Sequence, residues 1–139
     1  MNQLKSSYLN TDFDLRSESP FGTLHKELSS QCLVLHYQQC DDGHYSACYE
    51  SDHDGEMQIT GAERDILLLT QTVRSLSPTA RSEFEACYLR ELNLGFDVGD
   101  TWAFSYSVPP DAVAAAADVK CSLAVTLYPM RHPDGTRRG

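Results

Sequence analysis

The stretch from Cys32 to Glu50 leaves the chain little choice of local fold. Leu33, Leu35 and Tyr37 recur at every second position, Asp41-Asp42-Gly43 interrupts, and Tyr45, Ala47 and Tyr49 resume the period-two pattern, which is the signature of a β-hairpin. Two registers compete. A two-residue Asp42-Gly43 turn would pair Tyr37 with Cys48 and mix the faces, whereas a three-residue loop ending in Gly43 at positive φ pairs Leu35 with Tyr49 and Tyr37 with Ala47. The second register gathers the odd, apolar residues on one face. It leaves Cys32, His36, Cys40, His44, Cys48 and Glu50 on the other.

The remaining segments fit around this hairpin. From Ser7 to Leu15 the apolar Leu9, Phe13 and Leu15 alternate with Asn10, Asp12 and Asp14, which predicts a half-buried strand whose carboxylates mark its solvated side. Ser19-Pro20 offers a helix start, followed by Phe21, Leu24 and Leu28 on one face. Thr60 with Glu63 reads as a capping box that opens a helix to about Leu76, and Ser77-Pro78 starts another. Leu92, Leu94, Phe96 and Val98 predict a strand, and Trp102, Phe104, Tyr106 and Val108 a further one. Pro109-Pro110-Asp111 opens an alanine-rich helix. The last strand, Cys121 to Tyr128, is apolar on both faces, which predicts an interior place in the sheet.

The order β-α-β-β-α-α-β-β-α-β defines an α+β fold, a mixed and mostly antiparallel sheet of about six strands with helices packed on one face. With 139 residues, 41% of them apolar, the chain is long enough for one hydrophobic core, expected over residues 1–128. Residues 129–139, with three Arg and one Asp, read as a flexible tail. Met1 to Asn10 is polar and lacks the apolar run of a secretory signal, and no segment approaches a membrane span. Cytoplasmic residence without membrane contact is therefore expected. Five cysteines without a CxxC read as reduced, buried fillers.

Chemical motifs are sparse. Cys32, His36, Cys40, His44 and Cys48 invite a zinc reading, but the hairpin register makes two dyads about 13 Å apart, too far to close one tetrahedron. Asp52, Asp54, Ile59 and Glu63 match scattered EF-hand positions, yet Met57 stands where the loop needs glycine. Neither metal nor cofactor is expected. No GxSxG, HExxH, Walker loop or GxGxxG is present, so the chain reads as a non-enzyme. The alternative is a small enzyme or ligand-binding domain that uses the His and Cys residues of the 32–50 hairpin.

Charge is the more distinctive signal. Eleven Lys and Arg stand against 20 Asp and Glu, a net charge of -9, which argues against nucleic acid and for a basic protein partner. Asp41 to Glu63 holds seven acids and no Lys or Arg. Within it Asp41, Asp42, His44, Glu50, Asp52, Asp54 and Glu56 are the candidate partner-binding residues, with Tyr45 or Tyr49 as packed anchors. The expected assembly is a monomer or a dimer.

Glu91-Leu92-Asn93-Leu94-Gly95-Phe96, the Phe-Ser-Tyr-Ser segment before Pro109-Pro110-Asp111, Ser122 to Pro129, and Asp12-Phe13-Asp14-Leu15-Arg16 together cover about half the chain. In these segments it resembles a family of small bacterial domains of unknown function. The resemblance implies a bacterial cytosolic protein of the kind found among immunity proteins of toxin systems, and it carries over no functional residue. The expected function is neutralisation of a cognate toxin by occlusion of its basic active site.

Overall fold

The computed structural model describes residues 6–52, 61–99 and 103–129. Its elements run β1 (Ser7–Ser17), α1 (Gly22–Ser29), β2 (Cys32–Gln39), β3 (Tyr45–Ser51), α2 (Gly61–Arg74), α3 (Pro78–Ala86), β4 (Leu89–Gly99), α4 (Pro110–Asp118) and β5 (Ser122–Pro129). The sheet order is β2-β3-β1-β4-β5. Neighbours are antiparallel except for β4 and β5, which run parallel and are joined through α4, the crossover that parallel pairing requires.

All four helices feed one apolar cluster with the odd residues of β1. Phe13, Leu15, Tyr49, Leu92, Leu94 and Phe96 from the sheet pack on Leu24, Leu28, Ile66, Leu69, Val73, Phe84 and Ala116. The fold is therefore α+β with helices on one face of a mixed sheet, as the order of elements predicts. The opposite face carries no helix among the described residues.

The strand count is five rather than six. Residues 103–109 have no ladder; instead the Phe104 and Tyr106 rings rest on Phe96, with centroids 5.0 and 4.8 Å away, so their apolarity serves ring packing rather than strand pairing. Trp102 lies outside the described residues. β5 is an edge strand, not an interior one, and Val125 and Leu127 are exposed.

Two bulges reset the alternation. One at Leu9 leaves that side chain exposed and turns Tyr8 toward Phe96 on the helix side. The other, at Leu35, keeps Tyr37 opposite Ala47 and His36 opposite Cys48 but places Val34, not Leu35, opposite Tyr49. Cys32 thereby moves to the helix side, into the core, rather than joining His36 and Cys48. The turn itself follows the three-residue reading. Gly43 has φ 89°, its N–H donates to the Cys40 carbonyl at 2.9 Å, and Cys40 N–H donates to His44 at 2.6 Å.

Helix starts are set by partners as much as by local sequence. Ser77 caps α3, accepting from Ala80 N–H at 3.2 Å. α1 starts at Gly22, later than Ser19-Pro20 suggests, because the Glu83 carboxylate of α3 accepts Leu24 N–H at 2.8 Å and takes the capping role. Glu27 of α1 returns the contact: it accepts Ser77 N–H at 2.9 Å and the Ser77 hydroxyl, and these bonds hold its carboxyl below the usual range. Thr60 lies outside the described residues.

Candidate functional site

The helix-free face of the sheet collects the carboxylates. Because β1 lies between β3 and β4, its even residues meet side chains from both neighbours. Asp14 stands opposite Cys48 and Glu91, Asp12 opposite Asn93, and His36 and Ser122 extend the Asp14 row across the whole sheet. Glu50, two residues beyond Cys48, falls beside Asp12. Among the described strand residues, five acids from three strands, Asp12, Asp14, Glu50, Glu91 and Asp97, thus share the face with one cation, Arg16.

Asn10 organises the centre. Its amide donates to Asp12 Oδ1 at 3.0 Å and to Glu50 Oε1 at 2.7 Å, holding two like charges near each other. Gly95 makes room for it, since a Cβ there would stand 2.7 Å from Asn10 Oδ1 and 3.3 Å from the Tyr128 ring. Partial burial first, then the Asp14 and Glu50 charges, push the Asp12 carboxyl from 3.8 up to about 6. Next to it the Cys48 thiol donates to Asp14, and burial with this carboxylate pushes it well above the ordinary thiol value. An assembly of this kind is short of positive charge, and an added cation relieves it.

The predicted partner residues are dispersed. Asp41 and Asp42 sit exposed in the hairpin turn, where Asp42 accepts His44 N–H at 3.0 Å. The His44 ring contacts the Tyr88 hydroxyl at 3.0 Å and turns toward β4. Glu50 joins the open face, Asp52 follows the end of β3 and is exposed, and Asp54 and Glu56 lie outside the described residues. The predicted anchors are not free: Tyr49 is fully buried and bonds to His25 at 2.7 Å, and Tyr45 packs on the core. What sequence reading missed is the pairing of Glu50 with Asp12 and the bridging role of Asn10. The signal was the β1 alternation itself, which needed the β1–β3 register to become a site.

The hairpin His and Cys residues have modest contacts. His36 Nε2 lies 3.3 Å from Ser46 Oγ, and Cys40 Sγ lies 3.6 Å from the same oxygen. Burial pushes Cys32 and Cys87 up to about 11 and Cys121 up to about 12, away from thiolate chemistry at neutral pH. Arg90 and Arg81 both lie over the Phe84 ring, but Arg90 donates to the carbonyls of Glu85, Cys87 and Lys120, which ties helix ends together. Among the described residues no helix is long and apolar enough to cross a membrane.

Compared with protein-family models, with curated proteins and with solved structures, the chain matches none.

Proposed function

We propose that this chain is a non-enzymatic binding protein that takes a basic protein partner on the helix-free face of its sheet, with the Asp12, Asp14 and Glu50 cluster as the centre of contact. The observation that carries the reading is the gathering of Asp12, Asp14 and Glu50 on a sheet face that no described helix covers, where partial burial first and then the neighbouring like charges raise the Asp12 carboxyl to about 6. Lys or Arg side chains docked there would relieve the repulsion, speed encounter and reject acidic competitors. The raised thiols of the hairpin and core favour binding over nucleophilic catalysis. The partner that best fits this chemistry is a cytoplasmic toxin with a basic active site, such as a nuclease or nucleotide-modifying enzyme, which the chain would neutralise by occlusion.

The test is co-purification with the product of the neighbouring gene, followed by charge reversal in two separate sets. Asp14→Lys with Glu50→Lys should abolish capture and flatten its salt dependence, while Asp41→Lys with Asp42→Lys should have a smaller effect. Capture that is unchanged in affinity and salt dependence by the first pair would overturn the reading.

A further inference from the structure

The outer edge of β2 combines features that soluble sheets usually avoid. From Cys32 to Cys40 no residue is charged and none is proline, and among the described residues nothing pairs with this edge. Leu33, Val34 and Leu35 are consecutive and exposed at 48%, 43% and 51%. Edge strands present unpaired backbone N–H and C=O groups, and natural sheets blunt them with charge, proline or cover. Here the Leu35 bulge turns apolar side chains onto both faces, so an added strand would find an apolar middle on either side.

Acids stand at both ends of this strand. Asp41 and Asp42 are exposed in the turn beyond its C-terminal end. At the other end Asp52 lies close enough to Cys32 to act on its thiol, and it lines a cleft of about 210 Å³ with Gln31, Cys32, Ser51, Leu68 and Leu69. A long basic side chain entering this cleft could lay its stem on the leucines and its head on Asp52.

We propose that β2 is a strand-addition site, which takes an extended partner segment of about eight residues, uncharged and apolar in its middle and carrying Lys or Arg at each end. This deepens the reading of the chain as a binder of a basic protein and rests on it. Charge selects the occupant. Antiparallel pairing of β2 with a second copy would set Asp41 and Asp42 of each protomer near Asp52 of the other, in molecules that each carry -9. The β5 edge is also uncharged, but its start lies beside Lys120 and Arg90, which repel a basic end.

The full chain, labelled with ¹⁵N, is titrated with a synthetic octapeptide of alternating Val and Thr flanked by Lys, with a Glu-flanked version, and with one carrying a central Pro. The Lys-flanked peptide should shift and protect the amides of Leu33 to Gln39, and Leu35→Lys should weaken it about tenfold. The other two peptides should not bind. Shifts confined to the neighbourhood of Asp12, Asp14 and Glu50 would overturn strand addition while leaving the open-face reading intact. Concentration-dependent β2 shifts without peptide would also overturn it, in favour of a second copy. Absence of any β2 shift at millimolar Lys-flanked peptide would do the same.

Discussion

Replacing Asp12 by Asn should stabilise the protein at neutral pH and weaken its binding. The folded chain raises this carboxyl from 3.8 to about 6, so it binds a proton more tightly than the unfolded chain does. Above about pH 6 both states are ionised and the folded one bears the full penalty; below the ordinary value both are protonated and the penalty is gone. Stability attributable to Asp12 therefore falls as pH rises through this window. At about 1.4 kcal/mol per pH unit the ceiling is about 3 kcal/mol, and water around a half-exposed carboxyl lowers it to about 1 kcal/mol. Asn keeps the acceptor for Asn10 and offers Glu50 a donor without charge.

Urea unfolding of both proteins across acid to neutral pH measures this. At pH 7 the variant's midpoint should lie about 0.5 M higher, and the gap should close toward pH 4. His25, which burial pushes below its ordinary 6.5, contributes in the opposite sense, gaining stability as pH rises, but both proteins carry it and it cancels in the difference. A variant no more stable than the wild type at pH 7, or a gap independent of pH, would refute the reasoning. Binding of a basic partner should run the other way, tightening as pH rises through about 6, with a proton released from Asp12 on association near that pH.

Other perturbations probe the supports of the face. Asp65→Ala should cost about 2–4 kcal/mol in chemical unfolding, because this buried carboxylate accepts the Tyr8 hydroxyl and, at 2.7 Å, that of Ser51, tying α2 to β1 and β3. Gly95→Ala should cost about 1–3 kcal/mol by driving Asn10 off its two carboxylates, and in Asn10→Ala the same substitution should cost measurably less. Glu27→Gln should lower the melting temperature at neutral pH, with the difference closing as acid protonates the wild-type carboxyl below the usual range.

Much of the fold was legible where local chemistry and tertiary packing agree. The Gly43 turn, the Ser77 cap and the odd face of β1 each follow from residues within a few positions of one another. The failures share a cause: side-chain alternation reports which faces are apolar, not which backbone groups find a partner. Phe104 and Tyr106 alternate as a strand would, yet both rings rest on Phe96, a contact that needs no ladder. β5 is apolar on both faces and still lies at an edge, with Val125 exposed at 51%. A single inserted residue at Leu35 was enough to send Cys32 to the core and Leu33 to the open face.

The site shows the same limit in its sharpest form. Along the sequence the acids concentrate between Asp41 and Glu63, whereas in space the like charges meet elsewhere. Glu50 belongs to that run, but the carboxylate it meets through Asn10 is Asp12, 38 positions earlier and one strand away. Linear density counts charges that extended backbone spreads apart, since successive residues of a strand face opposite ways and those on one face stand about 7 Å apart. Strand pairing instead brings charges from remote segments within about 5 Å. Close approach decides the energy, because the interaction between charges falls with distance and is largely screened once more than about 8–10 Å of salt water separates them. The acidic run and the acidic site are therefore different objects. Reversing charge in the turn tests contact at the end of β2 together with longer-range attraction, while reversing it at Asp14 and Glu50 tests contact on the open face. The second should shorten how long a partner docked on that face stays.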